Sequence, residues 1–366
     1  MNLLAVILSS IPILFWHGVD AEHAEELLPM LKESGADLYL CRYKDAQTAF
    51  RVMDAAAANG IGMYVNYPEL LASPETECGK VMNHPAFVGY YVKDEPEVWD
   101  ISGLDSLVSR IQSVDPNHPC YINLYPNWAW IEDQYAERIE KFASEVEVPF
   151  YSFDQYPVTQ ADDGSILIRP TWYRNLEEFS AMAKRHGKPF WAFALTASHH
   201  LGAPSPPAFY PVPTLEQLRL QVYSDLIYGA QVIQYFTFRG LYDKESLEKT
   251  EVFDVVKQMN KEIKDLSFVF DGCSVQGVWH DGPSVPAGTR RLDVKQTDCL
   301  KRFSTNGGNA AVSIIKNQTS CYFVVLNTSC TNNLHLDIAF KTKAKQITKD
   351  NGDITPGNIR IFKLTH

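Results

Sequence analysis

The chain has 366 residues, 45% hydrophobic and 21% charged, a balance that excludes a disordered chain and leaves room for one large domain or two. Its 33 basic and 44 acidic side chains give a net charge of −11, which excludes a generic nucleic-acid binder, since such a protein carries a basic stripe. Its 18 Tyr, 19 Phe and 7 Trp can fill a large core and still leave rings to line a ligand cleft.

The apolar run 1–13 opens the chain. It resembles a signal peptide, yet it has no basic n-region and no small-residue cleavage site. Two readings stay open: a leader, which implies a periplasmic or secreted protein, or core, which implies a cytoplasmic one. No stretch approaches the roughly 20 apolar residues of a membrane span.

From there to about residue 270, strand-like and helix-like segments alternate. The strand-like runs are 13–19, 37–43, 62–67, 87–95, 119–125, 149–156, 189–196 and 231–238. They are short, apolar or aromatic, and bounded by Gly, Pro, Asn or Asp. Helical patterns fill 21–34, 45–59, 104–114, 135–144, 176–186, 215–228 and 246–266. Gly60 reads as a C-cap, Ser73-Pro74 as N-cap and N1, and Thr214-Leu215-Glu216-Gln217 as a capping box.

Eight such strands, each with its helix, match the size of a (β/α)8 TIM barrel, an α/β fold. A doubly wound sheet alternates in the same way. Its Gly-rich fingerprint is missing, however: the first strand runs into Trp16-His17-Gly18-Val19-Asp20, with a single Gly. After Phe270 long helical patterns stop, turns appear at Asp271-Gly272, Asn306-Gly307-Gly308 and Asn351-Gly352, and β runs lie at 311–315, 321–326, 334–340 and 358–364. The expected organisation is a barrel over 1–270 and a small antiparallel β-sandwich domain over 271–366.

In a barrel, function is read from the C-terminal ends of the strands. The fourth strand ends Gly89-Tyr90-Tyr91-Val92-Lys93-Asp94-Glu95-Pro96. Strict alternation sends Gly89, Tyr91, Lys93 and Glu95 to the axis, and Val88, Tyr90, Val92 and Asp94 to the helices. Glu95 then emerges at the rim. Asp94 beside it and aromatic walls around it raise its pKa, as a general acid near neutral pH requires. An acid pair that merely complements a helix dipole is the plainer alternative. The sixth strand puts Ser152, Asp154 and Tyr156 on its polar phase, which makes Asp154 the best second carboxylate. The fifth puts Asn123, Tyr125 and Asn127 on one phase. Tyr67, Tyr125 and Tyr156 each precede a Pro at a strand end. The eighth, Gln234-Tyr235-Phe236-Thr237, leaves its phase open. Candidate contacts to a sugar are Asp94, Tyr91, Asn123, Tyr125, Tyr156, Trp16, Trp191 and Tyr235, because rings cover the apolar faces of sugars while amides and carboxylates bind hydroxyls.

Lys93-Asp94-Glu95-Pro96 resembles the fourth-strand motif of clan A glycoside hydrolases, in which an Asn-Glu-Pro or related triplet places the acid/base Glu at the end of strand four. With the phrases Tyr121-Ile122-Asn123-Leu124, Ser152-Phe153-Asp154-Gln155-Tyr156-Pro157 and Pro189-Phe190-Trp191-Ala192-Phe193, nearly the whole chain looks like bacterial glycosidases of the β-galactosidase or family 42 kind. The resemblance implies cleavage of a β-linked glycosidic bond in an oligosaccharide or glycan, with Glu95 as general acid and Asp94 contacting a sugar hydroxyl. One residue departs from the pattern. Such enzymes carry a nucleophilic Glu at the end of strand seven, whereas here that strand reads Phe190-Trp191-Ala192-Phe193-Ala194-Leu195-Thr196. Three outcomes follow. Asp154 supplies the second carboxylate; another acid such as Glu69 does; or the barrel is a sugar-binding pseudoenzyme.

No metal or cofactor is expected. His199-His200 lacks a third ligand at a suitable spacing and, at the head of a Gly- and Pro-rich loop over the barrel mouth, reads as a solvated or substrate-contacting pair; no phosphate loop, GxSxG elbow or CxxC pair occurs. Of the seven Cys, Cys41 and Cys120 lie in apolar runs as buried thiols, and Cys321 and Cys330 flank one strand-like run, which leaves a pairing open.

Overall fold

The computed structural model describes residues 10–129, 134–202, 208–349 and 352–365. Most of the apolar opening run, part of the loop after His199-His200 and the turn at Asn351 lie outside the described residues. In chain order the strands are β1 (Ile13–Trp16), β2 (Leu38–Arg42), β3 (Gly62–Asn66), β4 (Phe87–Asp94), β5 (Cys120–Leu124), β6 (Tyr151–Phe153), β7 (Val158–Gln160), β8 (Ile166–Ile168), β9 (Phe190–Leu195), β10 (His199–Leu201), β11 (Ala208–Tyr210) and β12 (Val232–Phe236).

Eight of them close a parallel barrel in the order β1-β12-β9-β6-β5-β4-β3-β2. The expected TIM barrel is therefore present. Its helices start and stop where local chemistry dictates. The Asp45 carboxylate accepts the Thr48 N–H at 2.7 Å and starts the Ala46–Ala58 helix. Thr214 and Gln217 form the capping box of the Leu215–Tyr228 helix, which ends on left-handed Gly229.

Two apolar layers hold the barrel. The outer one, between strands and helices, includes Phe15, Tyr39, Tyr90, Val92 and Tyr235. The inner one fills the barrel with Leu14, Leu40, Tyr64, Tyr121, Phe150 and Trp191. Gly89 is required by that filling, because a Cβ there would sit 2.5 Å from the Tyr64 ring and 2.6 Å from the Pro119 carbonyl.

Beyond the barrel, β13 (Ser274–Asp281), β14 (Leu300–Ser304), β15 (Ala310–Asn317), β16 (Ser320–Asn327), β17 (Asp337–Phe340), β18 (Lys343–Gln346) and β19 (Ile359–Thr365) follow. They form a five-stranded sheet, β13-β15-β16-β19-β18, and a two-stranded one, β14-β17. The pair encloses its own core around Val312, Phe323, Phe340 and Phe362. The other face of the larger sheet, with Ala311, Val324 and Ile361, joins the barrel's outer layer. The Leu215–Tyr228 helix touches both β9 and the sheet strands, so it is buried nearly all round. All seven cysteines are free, so Cys321 and Cys330 are not bridged. Among the described residues no helix is long and apolar enough to cross a membrane.

Candidate active site

At the C-terminal end of the barrel the strands open into a cavity of about 570 Å³. Of the sequence-derived candidates, Glu95, Asp154, Asp94, Asn123, Tyr125, Tyr156 and Trp16 all line it.

Strand β4 reaches this mouth by a route that strict alternation does not give. Tyr91 pairs with Tyr121, but Lys93 pairs with Ile122 and Asp94 with Asn123, so Val92 is the extra residue of a bulge. The bulge reverses the phase. Lys93 turns out to solvent and lies 3.6 Å from Asp100, while Asp94 turns into the mouth instead of toward the helices. Glu95 follows with φ 45°, a left-handed conformation that costs a non-glycine residue about 1 kcal/mol or more. Its N–H is held by the Asn123 carbonyl at 2.8 Å. Bulge and turn together deliver two successive carboxyls to one cavity.

A buried polar chain fixes the floor. The Asn123 amide Nδ2 donates to Asp154 Oδ1 at 2.8 Å and to Asp94 Oδ1 at 3.2 Å, and its Oδ1 accepts Ser152 Oγ at 2.8 Å. Gln234 Nε2 donates to Ser152 Oγ at 2.9 Å, and Gln234 Oε1 accepts Tyr121 OH at 2.6 Å. Tyr121, Asn123, Ser152 and Gln234 are buried, so the network is rigid up to the point where it meets the acids at the mouth.

The acids are perturbed in one direction. Burial raises the Asp94 carboxyl to about 6, against the pull of the Asn123 amide. Burial, together with the neighbouring Asp154 and Asp94 charges, pushes Glu95 far above the usual carboxylate range. Burial and Asp94 raise Asp154 as well, while Asn123 and the Tyr156 hydroxyl hold it down by donating to it. Neighbouring like charges oppose joint ionisation, so the pair titrates above the usual carboxylate range, with Glu95 raised the further.

Across the mouth the character changes. In the closed order of eight strands, β12 stands diametrically opposite β4, with β1 and β9 on either side of it. They present Phe236, Trp16 and Phe193 to the cavity. The four cavity-lining acids, Asp94, Glu95, Glu97 and Asp154, all come from the β4–β6 side.

Three sequence-derived candidates lie elsewhere. Tyr91 is buried one layer down, beneath Trp16 at a ring distance of 5.1 Å. Trp191 is deeper still, stacked on Phe150 at 3.6 Å. It occupies an inward position near the start of β9, too low to reach the mouth. Tyr235 faces the helices and packs on Phe15 at 4.9 Å, because the phase of β12 sends Gln234 and Phe236 inward. Glu69, on the Pro68–Ala72 helix, does not line the cavity.

Glu97, Leu201 and Tyr210 escaped the sequence reading, whereas His199 belongs to the pair read there as lying over the mouth. Glu97 follows Glu95 by two residues and also caps the turn Val98–Asp100. The strands β10-β11-β7-β8 form a small sheet at the mouth that brings His199, Leu201 and Tyr210 to the cavity. Its one sequence signal is Asp163-Gly164, a turn dipeptide between β7 and β8. His199 stacks on Tyr210 at 4.5 Å, and Arg169 Nε donates to the Tyr210 hydroxyl at 2.9 Å. His200 packs instead on Phe209.

No family model matches the chain, and no curated protein matches it. Solved structures similar to it include the GH99 endo-α-mannosidase from Bacteroides thetaiotaomicron, at 11% identity over 67% of this chain and 80% of that one, with a TM-score of 0.48. An endoglucanase from Pseudomonas stutzeri in complex with cellobiose matches at 11% identity over 75% and 88%, with a TM-score of 0.45. A GH2 β-galacturonidase from Eisenbergiella tayi bound to galacturonate matches at 13% identity over 68% of this chain, with a TM-score of 0.44; the match spans 51% of that protein, about half its length. These neighbours are glycoside hydrolases, and at such identities the likeness is one of fold.

Proposed function

We propose that the protein is a glycoside hydrolase that cleaves a β-linked glycosidic bond in an oligosaccharide or glycan, with Glu95 as proton donor and Asp154 as the second carboxylate. The observation that carries this reading is the gathering of Glu95, Asp94 and Asp154 in one cavity at the C-terminal end of the barrel, with Asn123 Nδ2 bonded to both Asp94 and Asp154. A general acid must hold its proton at working pH and meet the leaving-group oxygen, and a buried carboxyl beside a second acid does so. The aromatic wall of Trp16, Phe193 and Phe236 suits the apolar face of a pyranose ring. The similarity of Lys93-Asp94-Glu95-Pro96 to the clan A strand-four motif, and to family 42-like glycosidases, points the same way.

The test is a panel of aryl β-glycosides and glycan-derived oligosaccharides. Hydrolysis by the protein, strongly reduced in Glu95→Gln wherever the leaving group needs protonation and with ligand binding preserved, is the expected result. Saturable sugar binding without turnover of any member would favour the pseudoenzyme instead.

A further inference from the structure

The sheet β10-β11-β7-β8 at the cavity mouth takes no part in closing the barrel. Its Tyr210 is the base of a stack of rings. His199 lies on Tyr210 at 4.5 Å with the planes 15° apart, and Tyr156, just past β6, meets both rings edge-on at 6.1 Å. The Arg169 guanidinium carbon lies 5.3 Å from the Tyr210 ring centre and 5.0 Å from that of Trp128, while its Nε donates to the Tyr210 hydroxyl at 2.9 Å. One cation thereby ties the turn after β5 to the mouth sheet. Trp128, Tyr156, His199 and Tyr210 all line the cavity, and the first three are only half-buried, which leaves ring surface open to it.

The same wall carries polar atoms that the fold does not satisfy. Among the described residues the donors Trp128 Nε1 and Arg169 Nη2 and the acceptor Gln155 Oε1 are buried without a partner. Gln155 lines the cavity and is 2% exposed. Its Nε2 is held by Asn127 Oδ1 at 3.3 Å and Thr171 Oγ1 at 3.2 Å, which fixes Oε1 in place. Buried polar groups are nearly always satisfied. A donor and an acceptor left open beside stacked rings match a sugar, whose hydroxyls both accept and donate and whose C–H face packs on rings. Burial lowers the His199 pKa, so that ring meets a neutral ligand as a neutral group.

We propose that this wall is a subsite for a second sugar unit of the substrate, beside the unit held at the acids, with Trp128, Gln155 and His199 as its contacts and Arg169 as the residue that positions its rings. This rests on the hydrolase reading above and narrows its substrate to an oligosaccharide of at least two units. Gln155 follows Asp154 directly in the chain, so the two units are neighbours. The cavity, at about 570 Å³, falls within the roughly 300–1,000 Å³ of pockets that enclose ligands larger than one sugar ring.

The experiment measures binding apart from turnover, by calorimetry on the Glu95→Gln protein. The probes are the methyl β-glycosides of glucose, galactose and mannose and the β-linked di- and trisaccharides of the same sugars. For the sugar that binds, affinity should rise about tenfold from one unit to two, the scale of one stacked ring. Trp128→Ala and His199→Ala should each lose most of that gain. Trp128→Phe, which keeps a ring but not the indole N–H, should lose part of it. Arg169→Ala should lose it as well, with partial recovery in Arg169→Lys, where a cation can still lie against the rings. A purely structural Arg169 would lower the melting temperature and leave the gain from one unit to two unchanged. Equal affinity for one unit and two, or a gain that survives in Trp128→Ala, would overturn the subsite and leave the hydrolase intact, as would turnover on the panel above with no probe bound. No binding of any probe and no turnover on that panel would remove both.

Discussion

The Asn123 side-chain amide donates to Asp154 at 2.8 Å, and the same nitrogen reaches Asp94 at 3.2 Å. One neutral group from β5 thereby ties together carboxyls from β4 and β6. Both bonds favour the ionised acids. In Asn123→Ala those acids should lose a stabilising donor, and the acidic limb of the kcat/KM profile should move to higher pH. A fall in kcat/KM of about tenfold to a hundredfold is expected, with the melting temperature showing whether the fold survives. An unshifted acidic limb would mean that Asn123 serves the floor and not the acids.

The pH dependence of activity follows from the same cluster. Activity needs Asp154 ionised and Glu95 protonated, so kcat/KM should be bell-shaped, with its basic limb above the usual carboxylate range. Stability runs the other way from the common carboxylate case. Folded pKa values raised above the unfolded ones mean that the folded state binds more protons. The contribution of Asp94, Glu95 and Asp154 is full below the ordinary carboxylate range and is lost as pH rises through their raised values, near 6 for Asp94. Melting curves from pH 4 to pH 9 should show this decline, reduced in Asp154→Asn.

Asp225 offers a test far from the site. It lies 1% exposed on the Leu215–Tyr228 helix, with a buried Oδ2 that has no partner among the described residues, and burial raises its pKa well above the usual value. Its effect is lost stability as pH rises above the ordinary Asp range. Asp225→Asn should therefore be more stable than the parent at pH 8, by about 1–3 kcal/mol in unfolding free energy, and converge with it near pH 4. Equal melting at both values would show that Asp225 is compensated in the fold.

Which parts of this were legible in the sequence follows physical lines. The eight barrel strands announced themselves because each is a short apolar run between turn residues. The Thr214 capping box was visible because it is a local pattern. Strand ends were enough to gather Glu95, Asp154, Asn123, Tyr125, Tyr156 and Trp16 at one mouth. Side-chain direction was less secure. A single bulge at Val92 exchanged the roles of Lys93 and Asp94, and nothing in the residue types marks it. Depth was also hidden. Trp191 shares the inward phase with Phe193, but only Phe193, two residues further on, reaches the cavity. The sheet at the mouth uses strands of three residues, too short for periodicity to register. The strands β14 and β18 are half polar, because only one of their faces meets a core.

The central claim is that Glu95 delivers a proton to the leaving oxygen, and leaving-group dependence tests it most directly. Glu95→Gln should be compared with the parent on a series of aryl glycosides of one accepted sugar, from 2,4-dinitrophenyl to the least acidic phenol that is still hydrolysed. The account predicts a loss in kcat/KM that grows from small to about 10²–10⁴-fold as the leaving group comes to need protonation. A loss that is the same for every leaving group, or no loss at all, would contradict it.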